Sequence, residues 1–277
     1  MREQYLKEWN TFIHHKRFAM STYRTYSSSV EWFLKRAGDD PKELTYHEIR
    51  TILLEVKEKN SVNSIITAIR QFYLHIFNRE LDYRQLPYTK KQHRIQPIYS
   101  HEEAMRIFNH ITNEKQKALL ALTIDQGLRI SEPCNILLSD CSIDDQRIIL
   151  RSAKGDADRT IYPSRLVWDL MEAYINVWHT CPVKYLFEGE KSGNPYTASS
   201  IRGFVRRHCE LSNTPYKKVH AFRRYSITWS HENGAALGAL ARRSGHKTTR
   251  TIEKSYLYHS EKFMRGVISP FQNSATD

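Results

Sequence analysis

The sequence lacks any long apolar run. No stretch of 18 consecutive apolar residues occurs in its 277 residues, whereas a transmembrane helix needs about 20. The first ten residues, MREQYLKEWN, are charged from the second position and lack the apolar core of a secretory signal. We therefore expect neither a membrane protein nor a secreted one, and place the chain in the cytoplasm.

Cysteine is scarce, and its spacing is irregular. The chain has four cysteines, Cys134, Cys141, Cys181 and Cys209, and no Cys-x-x-Cys pair. Zinc sites and disulfide frameworks both show close, regular spacing of cysteines. We therefore predict reduced thiols that serve mainly in packing, and expect neither a metal ion nor another cofactor.

Acidic residues are too few to balance the basic ones. There are 30 Asp and Glu against 42 Lys and Arg, which gives a formal net charge of +12. Such an excess favours polyanionic partners, with DNA or RNA first and anionic lipid a distant second. A soluble protein that is merely basic remains an alternative at this point.

The first 85 residues predict a helical domain. Apolar and aromatic residues recur at helical spacing in residues 5–15, 21–38 and 61–77. Ser21 is the expected N-cap of the second of these helices, and Thr45-x-x-Glu48 has the form of a capping box that opens another. Together these segments predict a bundle of about four helices.

A linker and a second domain follow. Residues 86–99 contain two prolines and several basic residues without apolar periodicity, which is typical of an extended linker. The second domain, residues 100–277, opens with a capping box at Ser100 and continues with helical patterns. The runs QRIILRS and RTIYPS predict a β-hairpin with Lys154 at its turn. The expected fold is mainly α, with two domains and a small β-hairpin or sheet in the second.

Arg129 is the first residue with a possible chemical role. It follows Gly127, a good helix terminator, and stands between two large apolar residues. An arginine there is either a structural ion-pair partner, with Glu132 for example, or an anion ligand at the edge of a core. The local sequence leaves both interpretations open.

Other polar positions are weak signals when each is taken alone. His220 and Arg223 are three residues apart and share one face of a helix. His246 follows a Ser-Gly pair, and Lys154 at a hairpin tip would by itself be a solvent-exposed lysine.

The set is much more specific than its members. The chain contains, in this order, the segments GLRISEPCNILLSD, AKGDADRTIYP, HAFRR and SGHK. A tyrosine then comes ten residues after the histidine of SGHK. This order resembles the tyrosine recombinase family, which comprises phage integrases and Xer-type site-specific recombinases. The resemblance covers residues 100–265, and the helical N-terminal region is similar to the SAM-like core-binding domain of that family. The chain departs from the family at Ser244, where leucine is commoner, and at Arg224 and Tyr225.

The resemblance implies a site-specific recombinase of the integrase or resolvase type that needs neither metal nor ATP. It would cleave DNA through a 3′-phosphotyrosyl bond and exchange strands through a Holliday junction. Its partners would be double-stranded DNA with an inverted-repeat core site and further copies of itself, as a homodimer on DNA and a homotetramer in synapsis, at the nucleoid. The implied catalytic residues are Arg129, Lys154, His220, Arg223, His246 and the nucleophile Tyr256.

The chemistry explains why such residue types are needed. Attack on a phosphodiester builds negative charge on the two non-bridging oxygens, and guanidinium groups can grip these oxygens bidentately at any relevant pH. A lysine can protonate the departing 5′ oxygen, and a histidine can accept the proton of the nucleophile. Nearby cations also lower the pKa of a tyrosine.

Two tyrosines compete for the role of nucleophile. Residues two apart on a helix point about 200° apart, so Tyr256 and Tyr258 cannot face the same site. Family members carry the nucleophile nine or ten residues after the second histidine. Since Tyr256 is ten residues after His246 and Tyr258 is twelve, the resemblance favours Tyr256.

The DNA-binding surface is harder to locate. Most basic candidates should contact phosphate, which positions a protein without reading sequence. The candidates are Tyr23, Arg24, Arg70, Lys90, Lys91, Arg94, Arg202, Arg206 and Arg207.

Two other functions remain possible at this level. A type IB topoisomerase-like enzyme shares the phosphotyrosine chemistry but relaxes supercoils as a monomer. A DNA-binding regulator without catalysis would have no use for the complete set of six residues.

Overall fold

The computed structural model describes residues 1–56, 59–90, 96–151, 157–177 and 182–255. The chain forms two compact units, Met1–Arg94 and Ile95–Asp277, each with its own core. The expected mainly helical fold with a small sheet is confirmed. Within the described ranges, no helix is long and apolar enough to cross a membrane.

The first unit is built from four helices in its described part. They pack around a core that includes Trp9, Phe33, Ile49 and Phe72. The helices are α1 (Arg2–His15), α2 (Met20–Leu34), α3 (Tyr46–Leu54) and α4 (Lys59–Phe77).

One of the two helix starts predicted in this unit is present and the other is not. The capping box predicted at Thr45 is present, since its side chain accepts from the N–H of Glu48 and the Glu48 carboxylate accepts from the N–H of Thr45. The N-cap predicted at Ser21 is wrong. The chain turns two residues earlier, at Ala19, whose carbonyl accepts hydrogen bonds from the next turn.

The second unit places seven helices and a small sheet around a larger core in its described part. The capping box predicted at Ser100 is present. The helices are α5 (His101–Asn109), α6 (Glu114–Gln126), α7 (Arg165–Val177), α8 (Ala198–Leu211), α9 (His220–Glu232), α10 (Leu237–Ser244) and α11 (Thr249–Ser255). Two 3₁₀ turns, Pro133–Asn135 and Leu138–Asp140, lie between α6 and the sheet.

The sheet contains the predicted hairpin and one additional short strand. Its strands are β1 (Cys141–Ser142), β2 (Arg147–Leu150) and β3 (Arg159–Ile161), in the order β1-β2-β3 and antiparallel. Leu150 pairs with Arg159, so Arg159 is the first paired residue of β3. Lys154 and Gly155, predicted at the turn, lie outside the described residues.

The start of α9 is held firmly in the second unit. Tyr99 is buried and stacks on Phe222 with ring centroids 4.4 Å apart, and its hydroxyl accepts from the N–H of Lys217. The ammonium of Lys217 in turn binds the carboxylate of Glu103. These contacts hold the first turn of α9, which carries His220 and Arg223, against the domain core.

The described ends of the segment predicted as a linker belong to the two cores. Leu86 is buried in the first unit, and Tyr99 is buried in the second. Residues 91–95 lie outside the described part, so the boundary between linker and domains stays a prediction.

Candidate active site

Three arginines bind three successive carbonyl oxygens at the C-terminal end of α10. Arg159 Nε donates to the carbonyl of Arg243 at 2.9 Å, Arg223 Nη2 to that of Ser244 at 2.6 Å, and Arg129 Nη2 to that of Gly245 at 2.9 Å. The last carbonyls of a helix have no intrahelical donor and carry the negative end of its dipole. We call this arrangement the arginine cradle. It joins side chains that are far apart in sequence.

Arg223 is the most deeply placed member of the cradle. Its side chain is fully buried, and its Nη1 donates to the carbonyl of Gly127 at 2.6 Å. Gly127 ends α6 in the left-handed conformation that glycine adopts most easily. Arg223 therefore ties the ends of α6 and α10 together from its position on α9.

Glu132 joins the arginines on their other side. It accepts from the backbone N–H of Arg129 at 2.7 Å, from Arg129 Nη1 at 2.9 Å and from Arg159 Nη2 at 2.9 Å, and it lies 3.9 Å from Arg223 Nη1. Burial opposes its ionisation, but the bond and charge of Arg159 and the N–H of Arg129 hold its pKa below the usual value. One carboxylate against three guanidinium groups leaves two positive charges in this cluster, which suits an anionic ligand.

Gly245 is required by two independent features of the cradle. Its φ of +68° is the left-handed conformation that ends α10. A β-carbon on this residue would also lie 2.8 Å from Nη1 and 3.0 Å from Cζ of Arg159. The backbone thus allows the guanidinium of Arg159 to pass over the helix end.

The two histidines next to the cradle are neutral at pH 7. Burial, followed by the charges of Arg223, Arg129 and Arg159, lowers the pKa of His246 to about 4. The pKa of His220, on the solvent side of α9, is also lowered by partial burial and by Arg224, Arg223 and Arg129. Both rings lie in the field of cations that the cluster leaves unbalanced.

The structure brings together four of the six predicted catalytic residues. Arg129, Arg223 and His246 meet at the end of α10, since His246 Nε2 lies 3.0 Å from Arg223 Nη2. His220 is on the same helix as Arg223, one turn before it. Lys154 and Tyr256 lie outside the described residues, although α11 (Thr249–Ser255) ends directly before position 256.

Both interpretations of Arg129 have support in the geometry. The ion pair with Glu132 is present, yet 38% of the Arg129 side chain remains exposed, and its neighbours leave the cluster net positive. An arginine can therefore be fixed by one carboxylate and still offer N–H groups to a ligand.

Sequence reasoning missed two residues of this site. Arg159 was part of the AKGDADR motif but received no role, although its position directly after the hairpin turn was a usable signal. Ser244 was noted only as a departure from the family pattern, whereas its hydroxyl lies 2.7 Å from His246 Nδ1.

The predicted DNA-binding residues of the first unit have different surroundings. Tyr23 is half-buried beside His14, whereas Arg24 on α2 and Lys90 are exposed. Arg70 donates to the carbonyl of Leu86, and its guanidinium lies about 5 Å from the rings of two tyrosines. Arg70 thus stabilises the packing of its own unit. Lys91 and Arg94 lie outside the described residues.

A polar groove on the first unit was not predicted. It has a volume of about 720 Å³ and runs between α2, α4 and the segment that follows Leu86. Asn63 holds this segment in place, since its side chain bonds both the N–H and the carbonyl of Thr89. Hydroxyl groups dominate the lining, including those of Ser21, Thr25 and Thr67.

The three candidate arginines of the second unit lie on the exposed side of α8. These are Arg202, Arg206 and Arg207. The guanidinium of Arg206 lies 5.2 Å from the ring centre of Tyr216.

The described cysteines are free thiols. Burial raises the pKa of Cys134 to about 11 and that of Cys141 to about 12, so neither is a ready nucleophile. Within the described ranges, no group of three or more His, Cys, Asp or Glu residues could hold a metal ion.

Comparisons with known proteins agree on one group of relatives. A protein of Sinorhizobium fredii (strain NBRC 101917 / NGR234) described as an integrase/recombinase is 27% identical over 270 residues, which cover 93% of this chain and 85% of that protein. Tyrosine recombinase XerC of Bacillus subtilis (strain 168) is 25% identical over 278 residues, with 90% of each chain covered. A lambda integrase tetramer bound to a Holliday junction has the same fold, with a TM-score of 0.75 at 14% identity over 91% of this chain and 76% of that one.

Sequence profiles match both parts of the chain. Residues 5–83 match the phage integrase N-terminal SAM-like domain, and residues 98–262 match the phage integrase family. The second match alone spans more than half of the chain and contains all six residues of the predicted catalytic set. The chain belongs to the phage integrase family.

Proposed function

We propose that this protein is a site-specific DNA recombinase that cleaves and rejoins DNA through a covalent bond to Tyr256. The observation that carries the proposal is the convergence of Arg129 and Arg223 on the end of α10 beside His246, in a cluster with excess positive charge. Membership of the phage integrase family supports the same reaction.

The cradle suits a phosphodiester in its transition state. Arg129 and Arg223 would each donate to a non-bridging oxygen, where charge grows during attack. Both guanidinium groups are held in place by carbonyl oxygens, and that of Arg129 also by Glu132, so the donors are already oriented at the end of α10. Fixed donors of this kind contribute about 2.7–4 kcal/mol each in other enzymes.

The bonds that form and break in this reaction balance without a cofactor. The phenolic oxygen of Tyr256 attacks phosphorus, the bond to the 5′ oxygen breaks, and a 3′-phosphotyrosyl bond and a free 5′-hydroxyl result. Neutral His220 can accept the phenolic proton, because its lowered pKa keeps the ring unprotonated. Lys154 supplies a proton to the departing oxygen. The diester energy stays in the new bond, so rejoining is the reverse reaction.

The partners follow from the same reaction. Each protomer would bind one half of an inverted-repeat core site in duplex DNA, with a homodimer on one site and a homotetramer when two sites join. The lambda integrase relative, seen as a tetramer on a Holliday junction, supports this assembly. The protein would act in the cytoplasm, on the nucleoid.

DNA contacts are proposed on both units. The polar groove on the first unit, with exposed Arg24 and Lys90 on the same unit, would contact the duplex there, and the α8 arginines would contact it on the second unit. Basic residues such as these hold the backbone, and the hydroxyl groups of the groove can contact both phosphates and base edges.

A suicide substrate tests the proposal. A duplex core site carries a nick near the cleavage point, so that a short fragment diffuses away after cleavage and the covalent product accumulates. The expected result is a protein–DNA adduct stable in denaturant, present in the wild type and absent in Tyr256→Phe. Failure of the folded wild-type protein to form any adduct on its own site would support a DNA-binding regulator without catalysis.

A second substrate separates recombination from simple relaxation. Two labelled core sites incubated with the protein should give a four-way junction product. An adduct together with relaxed plasmid and no junction would indicate a topoisomerase-like enzyme instead.

A further inference from the structure

Ser244 is a buried serine at the last position of α10. Its side chain is fully buried and stands between two partners. Its Oγ lies 2.5 Å from the carbonyl oxygen of Leu240 and 2.7 Å from Nδ1 of His246. The hydroxyl therefore links the helix backbone to the histidine of the cradle.

The direction of these hydrogen bonds is determined by chemistry. A carbonyl oxygen only accepts, and a hydroxyl has one hydrogen to give. At 2.5 Å the hydrogen of Ser244 must lie between Oγ and the Leu240 carbonyl, since two lone pairs would otherwise face each other. Ser244 Oγ is then an acceptor toward His246, and Nδ1 of His246 must carry a proton.

Arg223 also contacts the imidazole ring of His246. Arg223 can only donate, and its Nη2 lies 3.0 Å from Nε2 of His246 and 3.5 Å from Nδ1. The lone-pair directions of the two ring nitrogens lie in the ring plane and diverge, so a group at similar distances from both nitrogens lies against the ring and not on the Nε2 lone pair. The tautomer is therefore assigned from the Ser244 contacts alone. The chain of donors runs from His246 through Ser244 to the carbonyl of Leu240.

We propose that Ser244 is a positioning residue that holds His246, beside the arginine cradle, in the Nδ1–H tautomer with the lone pair on Nε2. The inference rests on the proposed function, because it concerns the histidine that would contact the phosphate. Ser244 itself touches neither the substrate nor the reacting atoms.

This arrangement couples phosphate binding to uptake of a proton. A phosphate oxygen that meets the Nε2 lone pair is repelled, whereas Nε2–H attracts it. His246 can take a proton from solvent at Nε2 without breaking the Nδ1–H bond to Ser244, so Ser244 stabilises the resulting cation. Hydrogen bonds to charged groups contribute enough that the loss of this one should slow cleavage by roughly tenfold to a hundredfold.

Nitrogen NMR of the DNA-free protein tests the tautomer directly. With ¹⁵N-labelled histidine, long-range proton–nitrogen correlations at pH 7 distinguish a protonated from an unprotonated ring nitrogen, and His246→Gln assigns the signals. We expect Nδ1 of His246 to be protonated and Nε2 to be unprotonated in the wild type. The opposite pattern in the wild type overturns the inference, whether or not any variant folds.

Cleavage of the suicide substrate tests the consequence. Ser244→Ala should cleave roughly tenfold to a hundredfold more slowly with the same DNA affinity, and Ser244→Thr, which keeps the hydroxyl, should recover most of the rate. The matched control is Ser226→Ala. Ser226 is also buried, but its hydroxyl has no hydrogen-bond partner among the described residues, so its removal should leave the rate unchanged.

The outcomes separate this inference from the proposed function. A wild-type adduct together with an unaltered rate in folded Ser244→Ala overturns the role of Ser244 and leaves the recombinase intact. Absence of any adduct in the wild type overturns the proposed function, whatever the tautomer of His246.

Discussion

Replacing Arg129 with alanine removes one of the three guanidinium groups at the end of α10. Two interactions are lost directly, the ion pair with Glu132 at 2.9 Å and the hydrogen bond to the Gly245 carbonyl at 2.9 Å. Glu132 keeps its bond to Arg159, and the Arg129 side chain is 38% exposed, so the free energy of unfolding should fall by only about 1–3 kcal/mol. The cleavage rate should fall by roughly 10²–10³, since one donor to the oxyanion stabilises a transition state by about 2.7–4 kcal/mol.

The assay is single-turnover cleavage of the suicide substrate at saturating protein, with unfolding followed separately in urea. DNA affinity should change little, because Arg129 is one contact among many to the backbone. Arg165→Ala is the matched control: this arginine is 77% exposed and paired with Asp169 on the surface of α7, so neither rate nor stability should change by much. A folded Arg129→Ala protein that cleaves within tenfold of the wild-type rate would refute the account of the cradle.

Three further variants test other parts of the structure. Gly245→Ala should lower the free energy of unfolding by about 1–3 kcal/mol, because the residue has a φ of +68°, and should slow cleavage, because the new methyl group would displace Arg159. Gly238→Ala is the control: its methyl group would meet no atom within 4 Å, so neither stability nor cleavage should fall. Equal urea midpoints for the two variants would contradict this. His246 has a pKa of about 4 against an ordinary 6.5, so the unfolded chain binds the extra proton and stability must fall as pH drops from about 6.5 to about 4. His246→Asn should lose less stability over that pH range. An equal loss of stability in the wild type and in His246→Asn, measured by urea unfolding at each pH, would contradict the lowered pKa of His246. Thr45→Ala removes a capping box and should cost about 0.5–2 kcal/mol in urea unfolding, with cleavage chemistry unaffected.

Features decided by neighbouring residues were predictable from the sequence. The capping boxes at Thr45 and Ser100 and the helix end at Gly127 all depend on residues within one turn, and the structure contains all three. Ser21 shows the limit of the same reasoning, because a residue with good capping chemistry does not cap when the backbone turns earlier, at Ala19.

The cradle depends on contacts that no local pattern contains. Arg129 binds a carbonyl 116 residues further along the chain, and Arg159 binds one 84 residues away. Local sequence left Arg129 open between an ion-pair partner and an anion ligand, and only the resemblance to a family placed it in a site. The burial of Arg223 was equally hidden, since an arginine in HAFRR would ordinarily be expected on a solvated face.

The contacts of the residues that depart from the family pattern could be found only in the structure. Ser244 stands where leucine is commoner, and its significance depends on a hydrogen bond to the carbonyl one turn earlier and another to a ring two residues later. Tyr225, another departure, is buried with its hydroxyl 2.7 Å from Nδ1 of His101. Such pairings become visible only when the helices are placed together.

The attachment site of the DNA tests the central claim most directly. After reaction with the suicide substrate, nuclease and trypsin digestion should release the peptide of residues 255–262, SYLYHSEK, which contains both candidate tyrosines between two cleavable lysines. Fragmentation in a mass spectrometer assigns the nucleotide remnant to one residue. The account predicts the remnant on Tyr256. A remnant on Tyr258, or on a residue outside this peptide, would contradict it.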